Sequence, residues 1–477
     1  MKQLNWAVAA LAGLALTACG GNSDDPPTSD ESGDRILIDK DPYPSTYTPI
    51  ESNPVVIRNA TLLDGEGGLI ENATLLIQDG NIAAFGAADE VEVPSDDDKL
   101  VQIDAAGKWV TPGIIDNHSH LGVYPSPSVS AHGDGNEISA PVTAEVWSEH
   151  GIWPQDPGFT RALAGGITSL QILPGSANLF GGRGVTLKNV PGRTVQDMKF
   201  PGAPYSLKMA CGENPKRVYG YGSGRWPGGA PYSRMGNMAG YRIAWAQAVE
   251  YKRKLDDYIE NGGEPPARNL ELETLVGVLE GDILVHMHCY RADEMAQIID
   301  MSHEFGYHVS SFHHAVESYK IADLLAEENT CSSMWADWWG FKMEAYDGVR
   351  ENIPMVHDAG ACAIVHSDSD IGIQRLNQEA AKALSDGRRV GIDISKAEAW
   401  TWLSLNPAKS LGIDDQTGSI AVGKDADIVI WDGDPFSTYT QAEQVFVDGA
   451  VVFDRNDPAL QPVMDFEIGQ PGEGDAK

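Results

Sequence analysis

Basic residues are scarce in this chain: 34 Lys and Arg stand against 69 Asp and Glu, a formal charge of −35. Phosphate backbones are bound by basic surfaces, so a nucleic-acid partner is excluded. The acidic surplus fits an extracytoplasmic surface or a salty medium. Cysteine is sparse too, with five residues at 19, 211, 289, 331 and 362 and no C-x-x-C, so no disulfide framework is expected. The apolar run Trp6–Leu16 is too short to span a bilayer comfortably, and no solenoid-type repeat is visible. The Gly-rich stretches at 174–178 and 181–184 lack the Lys-Ser/Thr of a phosphate loop and read as tight turns. What is present, at 477 residues and 42% hydrophobic, suits two or three domains or one large barrel with an appendage.

Residues 1–19 read as an export signal: Lys2, the apolar run, then small residues. Leu16-Thr17-Ala18-Cys19 resembles a bacterial lipobox, which implies cleavage before Cys19, acylation of its thiol and a membrane link through that lipid alone. Gly20 in the next position favours the outer membrane of a Gram-negative cell. Residues 20–53 form an expected tether, Gly-, Ser-, Asp- and Pro-rich at first, and 457–477 a tail. Short strands with Asn/Asp-Gly turns fill 54–110, among them a hairpin signal at Asp79-Gly80-Asn81. The same texture returns in 411–456, so the two segments are expected to pair into one small composite β-sandwich.

Between them, 111–410 alternates short apolar strands with helical stretches, the pattern of βα units. The fold class expected is α/β, a (β/α)8 barrel with its active groups at the C-terminal ends of the strands. Candidate strands are 110–117, 167–173, 184–188, 205–211, 283–289, 307–313, 330–334 and 361–367, with a helix from about Met235 to Ile259.

Polar residues close several of these strands. His118 and His120 are two apart and share a strand face, half of a metal site. His286 and His288 do the same. In His313-His314, adjacent side chains are expected to point opposite ways, so that one faces the pocket. His366-Ser367-Asp368 ends in a carboxylate, completing the ingredients of a hydrolytic zinc site. Alternation across Tyr205–Cys211 aims Lys208 at the barrel axis, where a cation is costly to bury; carboxylation by CO₂ makes such a lysine an anionic bridge. Lys188 and Glu213 are alternative bridging ligands.

Pro112-Gly113-Ile114-Ile115-Asp116-x-His118-x-His120, His288, His314, His366-Ser367-Asp368, the 406–412 stretch Asn-Pro-Ala-Lys-Ser-Leu-Gly and the 418–427 stretch together resemble the amidohydrolase superfamily over about residues 54–455. The likeness is strongest to the imidazolonepropionase- and prolidase-like branch. It implies one or two divalent cations, zinc foremost, held by His118, His120, His288, His314 and Asp368. His314 is favoured over His313 because Ala315-Val316-Glu317 follows it. Asp368 then doubles as ligand and proton shuttle in hydrolysis of an amide-type C–N bond. The fourth strand lacks the prolidase Ile-Lys-Ile, so one- and two-metal sites stay open.

The expected substrate is a small molecule, and oligomerisation is left open. Arg291, Arg217 and Arg234 are candidates to pair with a substrate carboxylate, and the Trp335, Trp338 and Trp339 cluster to wall a ring. Rival readings are an Xaa-Pro-type dipeptidase or deaminase of the same superfamily, a catalytically silent metal- or ligand-binding lipoprotein and, more weakly, an organophosphate hydrolase.

Overall fold

The computed structural model describes residues 38–94, 97–126, 128–221 and 230–461. The signal, Cys19, most of the tether and the end of the tail lie outside the described residues. The chain divides into two units, Met1–Asp39 and Lys40–Lys477, and every element below belongs to the second. Among the described residues, no helix is long and apolar enough to cross a membrane.

Five strands come first: β1 (Val55–Leu63), β2 (Leu69–Gln78), β3 (Asn81–Ala87), β4 (Val101–Asp104) and β5 (Trp109–Pro112). Eight follow: β6 (Ile114–Ser119), β7 (Ile167–Ile172), β8 (Phe180–Lys188), β9 (Tyr205–Ala210), β10 (Ile283–His288), β11 (Val309–His313), β12 (Cys331–Met334) and β13 (Ala363–Val365). The last three are β14 (Ile428–Trp431), β15 (Ala442–Val447) and β16 (Ala450–Asp454).

The N- and C-terminal segments do join. Their strands make one sheet in the order β16-β15-β14-β5-β1-β2-β3, with β4 also on β1. The expectation of a sandwich is therefore met only as far as this single hydrogen-bonded sheet. It wraps its own core, in which Ile57, Leu75 and Ile82 join Ile428, Ile430 and Phe446. The β2–β3 turn uses Asp79 and Gly80, both at positive φ as a two-residue hairpin requires. The opposite face, with Val429, Trp431 and Val445, packs into the barrel core.

β6 to β13 form the second sheet in unbroken sequence order, a nearly closed TIM-like barrel. The gap between β13 and β6 is bridged by Asp368 N donating to the His118 carbonyl at 3.1 Å. One expectation fails here: β8 is longer than predicted and runs antiparallel to both β7 and β9. Only residues 173–179 join β7 to β8, enough for a hairpin but not for the crossover helix a parallel neighbour needs. The predicted helix spans Arg234–Asn261.

Two further corrections concern cysteine and the tether. Cys211–Cys289 and Cys331–Cys362 are disulfides, despite spacings that signalled no framework. Strand pairing brings each pair together: Cys211 and Cys289 follow the paired ends of β9 and β10, Ala210 and His288. Sequence distance hides that neighbourhood. Within the expected tether, Ser45 and Thr46 hydrogen-bond to Lys199 and Gln196, and Lys199 Nζ holds Asp41 and the Tyr43 carbonyl, so this part lies on the barrel.

Candidate functional site

β6 is held against β7 by a close approach at Gly113, where a Cβ would lie 2.0 Å from Thr168 Oγ1. At the far end of β6 the period of two brings His118 and His120 together, with Nε2 atoms 3.3 Å apart. Beneath them the Asp116 carboxylate is fully buried. It accepts from the Ser367 and His118 amides at 3.1 and 3.2 Å and from Ser367 Oγ at 2.5 Å. Burial pushes this carboxyl up to about 7 against those hydrogen bonds. Asp116 thereby ties β6 to the turn that carries Asp368.

Asp368 Oδ1 lies 3.1 Å from His120 Nε2 and 3.5 Å from His118 Nε2, and Oδ2 lies 3.7 Å from His314 Nε2. Ligand atoms of His118, His314 and Asp368 sit within 4.8 Å of one another. His314 and Asp368 both adopt positive φ, 58° and 48°, strained for side-chain-bearing residues and typical of functional positions.

That strain corrects the reading of the adjacent histidines. Because His314 leaves β11 in a left-handed conformation, alternation stops and both rings enter the interior. His313 Nδ1 meets His118 Nδ1 at 2.9 Å and its Nε2 meets His286 Nδ1 at 2.8 Å. His314 Nδ1 meets His366 Nε2 at 2.8 Å, and its ring stacks on Trp335, centroids 4.5 Å apart. The His288 ring centroid sits 4.9 Å from that of His314, and its Nε2 lies 3.3 Å from Asn214 Nδ2.

Lys208 is the basic residue that reaches this cluster. Its Nζ is 3.5 Å from His118 Nε2 and donates to the Pro174 carbonyl at 3.0 Å, and burial lowers its pKa to about 7. The two alternatives lie elsewhere: Lys188 pairs with Asp425, Asp427 and Asp448, and Glu213 with Lys342. Two of the arginines considered as partners for a substrate carboxylate are already engaged: Arg234 with Glu294 and Glu344, and Arg291 with Asp293. Of the tryptophans, Trp335 is buried against His314, whereas Trp338 and Trp339 are exposed.

The donor set suits a cation. Burial holds His118, His288, His313 and His314 well below the ordinary imidazole range, and moves His286 to about 3 and His366 to about 4. These rings are neutral at physiological pH, the form in which an imidazole can offer a lone pair to a cation. His120 Nδ1 donates to the Leu173 carbonyl at 2.8 Å, which leaves Nε2 a lone pair facing the Asp368 carboxylate. Two acceptors at 3.1 Å attract only if a positive charge, proton or metal, joins them. His288 Nδ1 and His366 Nδ1 are buried without partners, further unspent coordination capacity.

Sequence reasoning put His286 on the face of His288 and weighed His313 against His314, but gave His366 and Asp116 no role as interior partners. The signal for His366 and Asp116 was present, since each lies two residues from an assigned ligand on the same strand or turn.

Comparison with known proteins agrees with this geometry. The model of the amidohydrolase family matches residues 109–464. The chain is 33% identical over 444 residues to the amidohydrolase tasK of Hapsidospora irregularis, covering 85% of this chain but only 44% of that protein's length. It is 24% identical over 404 residues to an imidazolonepropionase of Agrobacterium fabrum, covering 79% and 89%. Among solved structures, an amidohydrolase from Thermotoga maritima superposes with a TM-score of 0.75 at 33% identity, over 84% of this chain and all of the other.

Proposed function

The chain belongs to the amidohydrolase family, hydrolases of carbon–nitrogen bonds, and on that premise we propose that it hydrolyses an amide-type bond in a small molecule with the help of a divalent cation, zinc foremost. The observation that carries this reading is the convergence of His118, His120, His314 and Asp368 on one point at the barrel mouth, acceptor facing acceptor. His118, His120, His314 and Asp368 would hold the cation, with His288, its ring 4.9 Å from that of His314, as a further candidate ligand. Once bound, the cation supplies Lewis acidity that activates water and polarises a carbonyl.

The rest is the work of this chain's side chains. Asp368, a quarter exposed at its side chain, borders solvent and can accept the water proton and hand it to the leaving nitrogen. Asp116 and Ser367 fix the turn so that this carboxylate stays on the reacting side. Lys208 points at the same centre, and burial favours its free amine, the form that adds CO₂; its carboxylate would bridge a second cation. Tyr290 and Trp335, buried together beside His288 and His314, offer an apolar wall for a ring-containing substrate.

Metal analysis of the full chain, with turnover measured on dipeptides, lactams and imides, tests this. Bound zinc with hydrolysis of at least one class is expected. Stoichiometric metal with no turnover on any of them would favour a silent binding protein instead.

We also propose export and acylation at Cys19. The two disulfides suit an oxidising compartment, and lipid labelling that persists in Cys19→Ala would refute the anchor.

A further inference from the structure

Three imidazoles lie in file through the barrel, from its mouth to its floor. His118 Nδ1 meets His313 Nδ1 at 2.9 Å, His313 Nε2 meets His286 Nδ1 at 2.8 Å, and His286 Nε2 meets the Ser410 backbone carbonyl at 3.1 Å. We infer that the Ser410 carbonyl sets the tautomer of His118 through His286 and His313, so that His118 Nε2 faces the mouth as a lone pair ready for a cation. The inference rests on the reading of His118 as a ligand and names two positioning residues that reading does not use.

The polarity of the file follows from one fixed end. A carbonyl oxygen only accepts, so His286 Nε2 carries the proton it donates to Ser410. A neutral imidazole has one donor and one acceptor; His286 Nδ1 is therefore the acceptor, and His313 Nε2 donates to it. His313 Nδ1 is then a lone pair, and His118 Nδ1 must donate. That spends the single proton of His118 away from the mouth. Lys208 Nζ, 3.5 Å from His118 Nε2, is a donor and agrees with a lone pair there. Reversing the whole file would set a lone pair of His286 Nε2 against the Ser410 carbonyl at 3.1 Å, and reversing it partway would set two ring lone pairs face to face at 2.8 or 2.9 Å.

The fixed end is itself anchored. Ser410 sits in the last turn of the helix Leu405–Leu411, where carbonyls have no partner within the helix. Gly412, at a left-handed φ of 66°, ends that helix and sends its amide to Lys409. Ser410 Oγ donates to the Pro407 carbonyl at 2.8 Å and accepts from Asn117 Nδ2 at 2.9 Å. The floor helix is thus pinned to β6, the strand that bears His118. Partners that orient a ligand from behind commonly change metal affinity 10–100-fold when removed.

Neutron diffraction from crystals of the metal-free full chain tests the polarity directly. Protons are expected on His286 Nε2, His313 Nε2 and His118 Nδ1, with none on His118 Nε2. Zinc affinity, read by competition with a chelating dye, is expected to fall at least about tenfold in His286→Leu. His286→Gln, whose amide still offers one donor and one acceptor, should stay within about threefold of the natural chain. A proton on His118 Nε2 in the natural chain overturns the inference, as does undiminished zinc binding by His286→Leu. If the leucine variant does not fold, the neutron map and the glutamine variant decide, and a tenfold loss in the latter also counts against it. Neither readout involves turnover, so failure of the proposed hydrolysis would appear separately, as zinc bound with protons placed as drawn and no product.

Discussion

Among the described residues, ligand-type side chains crowd closely enough to hold a cation both at the barrel mouth and beside the terminal sheet, and the two places differ in what fills them. At the barrel mouth, His118, His314 and Asp368 converge; below the terminal sheet, Asp425, Asp427 and Asp448 do. The acidic cluster is already complete. Lys188 Nζ lies 2.5 Å from Asp448, 2.8 Å from Asp425 and 3.6 Å from Asp427. Tyr47 donates to Asp448, and Thr417 to Asp427 at 2.9 Å. Burial pulls the Lys188 pKa down, but its three carboxylates outweigh that and hold it above the ordinary value. The mouth cluster is filled less: Lys208 Nζ reaches His118 alone of its ligand atoms, at 3.5 Å, and among the described residues Asp368 faces only neutral rings, with no lysine or arginine paired to it. Proximity of ligand-type residues thus says little by itself; whether each acceptor already has a donor separates a structural knot from a site awaiting an ion.

The largest effect expected from breaking this contrast is catalytic. Asp368→Asn should keep most of the bound metal, because His118, His120 and His314 remain, and lose roughly 10²–10⁴ in kcat. Metal analysis beside steady-state kinetics checks it, and an unchanged rate would remove Asp368 from the chemistry. At the other cluster, Lys188→Met strips the lysine from three carboxylates, two of them buried. A loss of about 3–5 kcal/mol in urea unfolding is expected. The variant should also gain what the natural cluster lacks, a rise in Tm on adding calcium. Equal calcium response in both proteins would mean that Lys188 is not what closes the cluster.

Why one cluster was legible in the sequence and the other was not follows from how each is built. His118 and His120, or His366 and Asp368, lie two residues apart at strand ends, where a period of two and an apolar run announce a shared face. All eight barrel strands were readable on the same grounds. Lys188 also ends an apolar strand, so alternation alone made it a rival to Lys208. What separates them is strand direction. β8 is reversed in a hairpin, so its C-terminal end points to the barrel floor and the acidic knot instead of the mouth. The direction was set by the length of the 173–179 connection, a signal present in the sequence but outweighed by the repeating βα pattern. The disulfides and the paired use of His313 and His314 were hidden for another reason. They depend on which strands become neighbours and on a single left-handed residue, neither of which leaves a periodic trace.

Chelation sharpens the contrast at lower cost to the fold. A cation that binds the folded chain at 100–1,000 times its Kd contributes about 2.7–4.1 kcal/mol. Removing it with a chelator should therefore lower Tm in the natural protein and in Lys188→Met grown without calcium, and zinc should restore it in both. A Tm indifferent to chelator would argue against a resident cation at the mouth.

The smallest effect expected is in the pH dependence of stability, and it belongs to the acidic cluster. Burial pushes Asp427 up to about 6 from an ordinary 3.8, with Lys188 pulling against it. Between those values the folded chain holds a proton that the unfolded chain has released. The contribution of Asp427 to stability is therefore fully present below about pH 4 and is lost as pH rises through about 6. Each unit of separation is worth about 1.4 kcal/mol, so a change of about 1–3 kcal/mol is expected. In Asp427→Asn that dependence disappears while the amide still accepts from the Asp448 backbone, as the carboxylate does at 2.9 Å. Unfolding free energies of the two proteins measured from pH 4 to 7 should then diverge, the natural chain losing ground as pH rises. Parallel curves would mean that Lys188 keeps Asp427 ionised across the whole window, and that the cluster is compensated charge for charge more fully than its burial suggests.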